Sequence, residues 1–317
     1  MEEFELIRVF FRQADFARAG GQIARSIGDD CALLDLAAGQ QLAISTDSLV
    51  DGVHFPHNPD PFLLGQRALA VAVSDLAAMG ASPLAFTLAL SLPHSDSHWL
   101  QQFALGLRAT ALECAITLVG GDTTKGQLNI GITVLGTVPS GQALLRSGAV
   151  PGQQLWVSGP LGAAAAALPL LDGSRQSDAA TRDALLQSYW TPQPQLQLGR
   201  WLLGKAGAVQ DISDGLLADA GHIAAESAVQ LVIEQPLVPV CPYAMQFDAA
   251  LATSRALSGG DDYQLLFSLP SEYAAGLQEQ FPAARRIGEV RTGSSVLLLD
   301  AQGCEQSFGK AGYRHFE

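Results

Sequence analysis

Apolar residues follow two different spacings along the first half of the chain and predict helices and strands in turn. Spacings of three and four residues predict helices, whereas short apolar runs predict buried strands. Pro61 stands where a helix would begin, and Ser95 or Asp96 can cap the next one. The predicted helices cover residues 3–14, 61–79 and a segment after Asp96, and the predicted strands cover residues 32–36, 42–46, 84–92, 116–119 and 128–138, with a turn at Gly39.

The second half of the chain repeats this mixture of elements. Since helices and strands mix in both halves, the sequence predicts the α/β (α+β) class, with two related mixed α/β domains. The predicted helices cover residues 162–171, 181–189, 196–203 and 216–227, and the predicted strands cover residues 155–157, 209–215 with a turn, 230–234, 263–269, 287–290 and 296–299.

A segment rich in proline, serine and glycine divides the chain near its middle. We place the domain boundary in this segment because these residues favour turns. The predicted organisation is an N-terminal domain over 1–138, a linker over 139–152 and a C-terminal domain over 153–317. A chain of 317 residues can hold two domains of about 100–200 residues each.

Two short motifs recur with a common offset and predict that the two domains are homologous. Ser74-Asp75 is followed by Gly120-Gly121-Asp122, and Ser213-Asp214 is followed by Gly259-Gly260-Asp261. The numbers 75 and 214, like 122 and 261, differ by 139. We expect each motif to place carboxylates at equivalent joints between strand and helix.

Composition and charge narrow the class of protein. Hydrophobic residues make up 48% of the chain, too many for a disordered protein. The 31 acidic residues outnumber the 18 basic ones, and a net charge of −13 argues against a nucleic-acid or anionic-membrane partner. The lysines are only Lys125, Lys205 and Lys310, so a phosphorylated ligand would need positive charge from bound metal.

Residues 68–92 are apolar enough to resemble a membrane span, but they contain Asp75, Gly80 and Pro83. A membrane helix would have to bury that carboxylate and tolerate the break. The segment therefore predicts a buried helix that ends near Gly80, followed by a strand, in a soluble protein. The acidic N-terminal residues lack the basic start of a signal peptide, so the expected location is cytoplasmic.

Acidic residues fall in short motifs directly after apolar runs. Several carboxylates that converge on one site repel each other unless divalent cations lie between them. Oxygen ligands of this kind suit Mg²⁺ or Mn²⁺, with phosphate oxygens and water completing the shell. The motifs contain Asp29-Asp30, Thr46-Asp47 with Asp51 and His54, Asp75, Gly121-Asp122, Asp211 with Ser213-Asp214, and Asp261-Asp262.

The common nucleotide-binding signatures are missing from the sequence. No G-x-G triplet occurs, and none of the lysines precedes serine or threonine, which excludes a Walker A loop. Phosphate can still be held by backbone N–H groups, and we expect a Gly120-Gly121 turn and helix starts at Asp75 and Gly215 to provide them. Arg146, in the predicted hinge, is a candidate for reaching a polyphosphate.

The chain resembles the thiamine-monophosphate kinase family in a series of short motifs. In chain order these are GDD-x-A (28–32), STD (45–47), DGVHF (51–55), SDLAAMGA-x-P (74–83), GGDTT (120–124), LRSGA-x-x-G (145–152), ISDGL (212–216), GGDDY (259–263) and GYRHF (312–316). The resemblance covers essentially the whole chain. This family belongs to the superfamily of aminoimidazole ribonucleotide synthetase, selenophosphate synthetase and hydrogenase maturation factor E.

The resemblance implies an enzyme that phosphorylates thiamine monophosphate to thiamine diphosphate with ATP as co-substrate and several Mg²⁺ ions. It also implies a homodimer paired through the N-terminal domains and an active-site cleft between the two domains. The implied metal ligands are Asp30, Ser45, Thr46, Asp47, Asp75, Asp122, Asp211 and Asp214. Gly121, Asp122, Arg146 and Ser213 would contact ATP, His54, Asp261 and Tyr313 would face the thiamine substrate, and Asp75, Asp122 and Asp214 would be catalytic.

Two residues depart from the usual family pattern. Asp261 stands where the family usually has glutamate, so this side chain is one methylene shorter. Cys31 replaces a usual alanine beside Asp30, and we expect it to be buried. The four cysteines form no CxxC pair, which argues against a zinc or redox site and favours the role of small buried apolar residues.

The expected chemistry is a direct transfer without a phosphoenzyme, because the acceptor phosphate is already ionised near neutral pH. Two alternatives remain open from the sequence. One is another ATP-dependent enzyme of the superfamily, of the aminoimidazole ribonucleotide synthetase type. The other is a non-catalytic sensor of Mg-nucleotide. The selenophosphate synthetase and maturation-factor types are disfavoured because residues 1–30 lack cysteine and lysine, and the last residues lack cysteine.

Overall fold

The computed structural model describes residues 5, 7–27, 30–309 and 311–313 of the chain. The chain folds into two compact units. Unit 1 contains residues from 1–76 and 81–141, and unit 2 contains residues from 77–80 and 142–317. Several residues of the predicted motifs and elements lie outside the described part, namely 1–4, 6, Gly28, Asp29, Lys310 and 314–317.

Unit 1 combines two sheets with two long helices in its described part. The strands are β1 (Ile23–Arg25), β2 (Leu33–Leu34), β3 (Gln40–Val50), β4 (Ser82–Leu92), β5 (Thr117–Lys125) and β6 (Asn129–Pro139), and the long helices are α1 (Pro61–Ala78) and α2 (Ser97–Glu113). Of the predicted helix over 3–14, the described part is helical over Ile7–Arg12. Asp96 caps α2 by accepting hydrogen bonds from the N–H groups of His98 and Trp99.

The main sheet of unit 1 has the strand order β3-β6-β4-β5. Strand β6 is antiparallel to both of its neighbours, and β4 and β5 are parallel. A parallel pair needs a crossover, which α2 provides. Strand β2 pairs with β1 rather than with β3, so the strands on the two sides of the Gly39 turn have different partners.

The apolar segment 68–92 forms the buried helix and the strand that its pattern predicts. Helix α1 carries fully buried side chains such as Leu64, Leu69 and Leu76. It crosses α2 so closely that a Cβ on Gly106 would lie 2.0 Å from the carbonyl oxygen of Phe62, which explains a glycine in mid-helix. In the part of the chain that the structure describes, no helix has the length and apolar character needed to cross a membrane.

Unit 2 contains a seven-stranded sheet flanked by shorter helices. Its strands are β7 (Gln154–Val157), β8 (Val209–Asp211), β9 (Val229–Glu234), β10 (Leu265–Leu269), β11 (Arg285–Thr292), β12 (Val296–Leu299) and β13 (Glu305–Gln306). Its helices are α3 (Ala163–Leu171), α4 (Ala179–Trp190), α5 (Leu196–Leu202), α6 (Leu216–Ser227), α7 (Pro242–Phe247), α8 (Ala249–Ser258) and α9 (Ala274–Gln280).

Both faces of the seven-stranded sheet are buried. The strand order is β13-β12-β9-β11-β7-β10-β8, in which only β12 and β9 are parallel. On β7, Leu155 and Val157 join one apolar core, whereas Trp156 joins another. Since successive side chains of a strand point to opposite faces, the two cores lie on opposite sides of the sheet. The mixture of helices and sheets in the two units confirms the predicted α/β (α+β) class.

Candidate active site

Two carboxylates of unit 1 lie close together where strand β3 packs beside helix α1. Ser45 and Asp47 alternate with Thr46 on β3, so their side chains share one face of the strand. On that face the Ser45 hydroxyl donates a hydrogen bond to Oδ2 of Asp75. Burial raises the pKa of Asp47 to about 6, and the negative charge of Asp75 contributes to this increase. A nearby cation would favour the ionised form of both groups.

Thr46 points to the other face of the same strand. Its hydroxyl is 2.9 Å from the hydroxyl of Thr133 on β6, and the residue is exposed. The structure therefore brings Ser45 and Asp47 to Asp75 and leaves the Thr46 hydroxyl away from them.

His54 is fixed by the turn that follows β3. Its Nδ1 accepts a hydrogen bond from the N–H of Val50 at 3.0 Å. When Nδ1 is an acceptor, the neutral ring carries its proton on Nε2. The carbonyl of His54 in turn accepts from Nη2 of the buried Arg67 at 3.4 Å. The ring orientation and tautomer are thus set by the local backbone.

The turn predicted at Gly120-Gly121 does not form, because both residues belong to strand β5. The register with β4 shifts between Phe86 and Thr87, so Val119 is an extra residue in a β-bulge. After the bulge a Cβ on Gly121 would lie 2.0 Å from the carbonyl oxygen of Leu88. Glycine is needed here for a close approach of two strands.

The predicted ligands Asp47 and Asp122 lie on opposite edge strands of the main sheet of unit 1. Asp47 pairs with Ile132, Ile132 with Leu88, and Leu88 with Gly121, which sets one row across all four strands. Three spacings of about 4.8 Å place the two ends of this row about 14 Å apart. The exposed Asp122, next to Gly121, therefore lies well away from the Asp47–Asp75 pair.

In unit 2 the predicted ligands lie at the end of β8 and in the loop between β8 and α6. Asp211 is buried at the end of β8, and Ser213 and Asp214 are half-buried in the loop. Below them, one oxygen of Asp219, Oδ2, accepts hydrogen bonds from the N–H groups of residues 213, 214 and 215, each at 3.1 Å. The other oxygen, Oδ1, accepts from Nε2 of Gln210 at 2.6 Å.

The N–H of Gly215, which was predicted to be available to phosphate at this helix start, already donates to an internal carboxylate, that of Asp219. Burial raises the pKa of Asp219 to about 7, although the donors of Gly215, Asp214 and Gln210 lower it.

Asp214, Asp219 and His222 offer ligand atoms within 4.8 Å of one another. A carboxylate has about four lone-pair sites, and four donors already use those of Asp219.

The predicted thiamine-facing residues are bonded to the other side of the same loop. The N–H of Asp261 donates to the carbonyl of Ser213 at 2.8 Å, and the N–H of Tyr313 donates to the carbonyl of Asp214 at 3.0 Å. Asp261 and Tyr263 have φ angles of 68° and 49°, in the left-handed region that residues other than glycine rarely adopt. The Tyr263 hydroxyl donates to Oδ1 of Asp261 at 3.0 Å.

Arg146 belongs to unit 2 and is exposed. Its carbonyl accepts a hydrogen bond from the hydroxyl of Ser227 at 2.8 Å. The preceding carbonyl, of Leu145, accepts from the N–H of Val209 at 2.8 Å, on the strand that ends at Asp211. The main chain of Arg146 is therefore fixed beside β8.

Comparisons with known proteins show the family of this chain. The family described as AIR synthase related protein, N-terminal domain, matches residues 28–138. The thiamine-monophosphate kinase of Salmonella typhimurium is 39% identical over 320 residues, which cover 99% of this chain and 98% of that relative. The chain belongs to the thiamine-monophosphate kinase family.

Solved structures of this family share the fold. The thiamine-monophosphate kinase from Stenotrophomonas maltophilia K279a superposes with a TM-score of 0.83 at 39% identity, covering 93% of this chain and 94% of that chain. AaThiL complexed with AMPPCP and TMP superposes with a TM-score of 0.79 at 30% identity, covering 92% of this chain and 93% of that chain.

Against this family background, three predictions from the sequence need correction. Cys31 and Cys304 are exposed rather than buried. Asp75 lies in the last turn of α1, where no free N–H groups point outward, and not at a helix start. The 139-residue offset does not relate equivalent sites, because Asp75 is helical whereas Asp214 lies in a loop before a helix.

Sequence reasoning also missed the roles of two carboxylates that organise the kinase-family motifs. Asp219 stands in the first turn of α6, where an acidic residue commonly satisfies N–H groups. Asp262 was visible in the motif GGDDY, and its Oδ2 accepts from the N–H of Gly162 at 2.8 Å. The place of Asp219 in the first turn of a predicted helix could have indicated that it accepts N–H groups. Its hydrogen bonds to the loop over residues 213–215 could not be predicted from the spacing of residues in the sequence.

Proposed function

We propose that this chain catalyses the ATP-dependent phosphorylation of thiamine monophosphate to thiamine diphosphate. The observation that carries the proposal is the 39% identity to a thiamine-monophosphate kinase over 99% of the chain. The complex of AaThiL with AMPPCP and TMP supports ATP and thiamine monophosphate as the two substrates.

Mg²⁺ is the proposed cofactor, and the donor atoms of the site residues fit this ion. Carboxylate and hydroxyl oxygens are the ligands that Mg²⁺ prefers. The burial that raises the pKa of Asp47 beside Asp75 is a cost that a bound cation would offset. When bound, Mg²⁺ would neutralise phosphate charge and align the two phosphates. Several ions are proposed, and the residues that would hold them are Asp30, Ser45, Asp47, Asp75 and Asp122 of unit 1 and Asp211 and Asp214 of unit 2.

The remaining site residues would bind the two organic substrates. We assign Gly121, Arg146 and Ser213 to ATP, with the exposed guanidinium of Arg146 reaching its phosphates. His54, Asp261 and Tyr313 would face thiamine monophosphate. The Tyr313 side chain is 46% exposed, and its aromatic face suits the cationic thiazolium ring of the substrate.

The transfer is proposed to be direct, from ATP to the phosphate of thiamine monophosphate. An ionised phosphate oxygen needs no general base, so the chain has only to orient the two phosphates and exclude water. Incubation with γ-³²P-ATP alone, followed by denaturation, should leave no label on the protein. Label that stays on the denatured chain would contradict direct transfer.

A coupled assay of ADP release tests the proposed activity. We expect thiamine monophosphate to stimulate ADP release and the product to co-migrate with thiamine diphosphate in chromatography. A non-catalytic nucleotide sensor would show no substrate-stimulated turnover. An enzyme of the aminoimidazole ribonucleotide synthetase type would release ADP only with a different substrate.

A homodimer is proposed through the open face of the unit 1 sheet. On β3, Leu42 and Ile44 are 36% and 61% exposed and lie on the face that carries Thr46. An apolar sheet face of this kind favours burial against a second copy. Light scattering should find a dimer for the wild type and a monomer for Ile44→Asp. The matched control is Leu112→Asp, which replaces an exposed leucine of α2 and should remain dimeric.

A further inference from the structure

The loop over residues 213–215 is hydrogen-bonded on both of its sides. On the inner side, its three consecutive N–H groups all point to Oδ2 of Asp219. The carboxylate is 1% exposed and reaches the loop from the first turn of α6. Three N–H groups that converge on one anion resemble a backbone anion-binding site, here filled by the protein itself.

On the outer side, the carbonyl groups of the same segment accept hydrogen bonds from the thiamine-facing segments. Tyr263 N–H donates to Ile212, Asp261 N–H donates to Ser213, and Tyr313 N–H donates to Asp214. The loop is also packed tightly, since a Cβ on Gly260 would lie 2.3 Å from the carbonyl oxygen of Ser213. A shift of the loop backbone would therefore move Asp261 and Tyr313 along with it.

We propose that Asp219 is a positioning residue that sets the geometry of the nucleotide-facing and thiamine-facing residues of unit 2 through one loop. Its carboxylate fixes the N–H side of the loop that carries Ser213 and Asp214. The carbonyl side of that loop then fixes Asp261 and Tyr313. This inference rests on the proposed function, because it assigns a common support to the residues proposed to bind the two substrates.

The hydrogen bonds of Asp219 distinguish this role from that of a metal ligand. Its oxygens accept four N–H groups, which is about all that a carboxylate can accept. The neighbouring Oε1 of Gln210 is buried and has no hydrogen-bond partner among the described residues. In Asp219→Asn the amide oxygen could keep the loop bonds, while Gln210 turns its oxygen to the new NH₂ group. A positioning role therefore tolerates asparagine, whereas a metal-ligand role does not.

The decisive experiment compares Asp219→Asn with Asp219→Ala in steady-state kinetics. We expect the asparagine variant to stay within about 10-fold of wild-type kcat/KM, because a neutral acceptor binds N–H about half as strongly as a carboxylate. Alanine removes the acceptor, and a small displacement of reacting groups costs about 100-fold in kcat/KM for both ATP and thiamine monophosphate. A loss in the asparagine variant as large as in alanine, with a raised Mg²⁺ requirement, would overturn the proposal.

Hydrogen–deuterium exchange provides a readout that does not depend on activity. The amides of residues 213–215 and of Asp261 and Tyr313 should exchange faster in Asp219→Ala and at the wild-type rate in Asp219→Asn. Unchanged exchange in the alanine variant would overturn the proposal. If that variant does not fold, slow exchange at these amides in Asp219→Asn supports the proposal and fast exchange overturns it.

A stability-matched control separates positioning from a general loss of folding. Ser268→Ala removes a buried hydroxyl of unit 2 that bonds Gln153 and the N–H of Ala208, outside the loop. It should lower the melting temperature and leave both KM values unchanged; changed KM values here would show that any destabilisation suffices, against the proposal. If the wild type shows no activity with thiamine monophosphate, the proposed function fails, while the exchange measurements still test the positioning of the loop.

Discussion

The hydroxyl of Ser45 donates a hydrogen bond to the carboxylate of Asp75 and so joins strand β3 to the last turn of helix α1. The bond directs one oxygen of Asp75 toward the face of β3 on which Asp47 also lies. Two acidic groups are thereby held near each other, and burial, together with the negative charge of Asp75, raises the pKa of Asp47 to about 6. This arrangement is what a cation site in this unit would require.

Removal of the Ser45 hydroxyl should therefore weaken the response to Mg²⁺. A hydrogen bond to a charged group contributes about 1.5–3 kcal/mol, so Ser45→Ala should raise the Mg²⁺ concentration for half-maximal activity by about 10-fold or more. The control is Ser48→Ala, on the same strand but among the exposed residues of the opposite face. Titration of activity with Mg²⁺ measures both, and equal curves for the two variants would contradict this role of Ser45.

Asp122→Asn should abolish phosphoryl transfer and leave the fold intact. Asp122 is exposed on β5 and lies about 14 Å across the sheet from the Asp47–Asp75 pair, so its loss cannot be made up by those groups. We expect a decrease in kcat of at least about 100-fold, since charge stabilisation at a transferring phosphoryl group is usually a large contribution. Circular dichroism and the melting temperature should match the wild type. Full activity in this variant would refute its assignment as a ligand.

Gly121→Ala and Gly120→Ala should have opposite effects on stability. A Cβ on Gly121 would lie 2.0 Å from a backbone oxygen, whereas a Cβ on Gly120 would meet only the Thr87 methyl group at 3.7 Å. We expect Gly121→Ala to lower the free energy of unfolding by about 1–3 kcal/mol. Gly120→Ala should be neutral or stabilising by up to about 1 kcal/mol, because alanine loses less backbone entropy. Urea unfolding of both variants provides the measurement.

Most long elements could be predicted from the sequence because the burial of apolar side chains dominates each of them. Helix α1, strand β4 and strand β6 follow continuous apolar patterns, with Pro61 or Asp96 marking helix starts. The short helices α7, α8 and α9 were not predicted, since fewer than three turns give little periodicity to detect, although α3 and α5, which are as short, were predicted. The bulge at Val119 escaped prediction because Gly-Gly signals a turn locally, and only pairing with β4 makes it a strand.

The candidate site could be predicted as a set of residues but not as a geometry. The Asp motifs identify the acidic groups, and the side on which each lies depends on strand alternation and register. Thr46 follows Ser45 in sequence and points away from it, and Asp122 is separated from Asp47 by the width of the sheet. The buried Asp219 supports the motif from outside it, through backbone groups that no sequence spacing reveals.

The pH dependence of stability should contain a contribution from Asp262. Burial raises its pKa from 3.8 to about 8, although the backbone N–H groups of residues 162–164 lower it. A raised pKa means that the folded state binds the proton more tightly, so this contribution is complete below about pH 4 and is lost as the pH rises toward 8. The asparagine side chain of Asp262→Asn cannot ionise and still offers an acceptor to the N–H of Gly162. The free energy of unfolding of this variant should therefore rise relative to that of the wild type between pH 5 and 8.

The matched control for this prediction is Asp178→Asn at the cap of α4. Asp178 accepts a hydrogen bond from the N–H of Thr181, which lowers its pKa, so its stabilising contribution is lost when the pH falls. Since Asp178 is ionised in the folded and the unfolded chain above pH 5, Asp178→Asn should differ from the wild type by a constant amount between pH 5 and 8, whereas the difference for Asp262→Asn should grow with pH. Thermal unfolding at pH 5, 6, 7 and 8, without added metal, measures both differences. A constant difference between Asp262→Asn and the wild type across that range would show that the Asp262 carboxyl is already ionised in the folded chain at pH 5. Its three backbone donors would then outweigh the effect of burial.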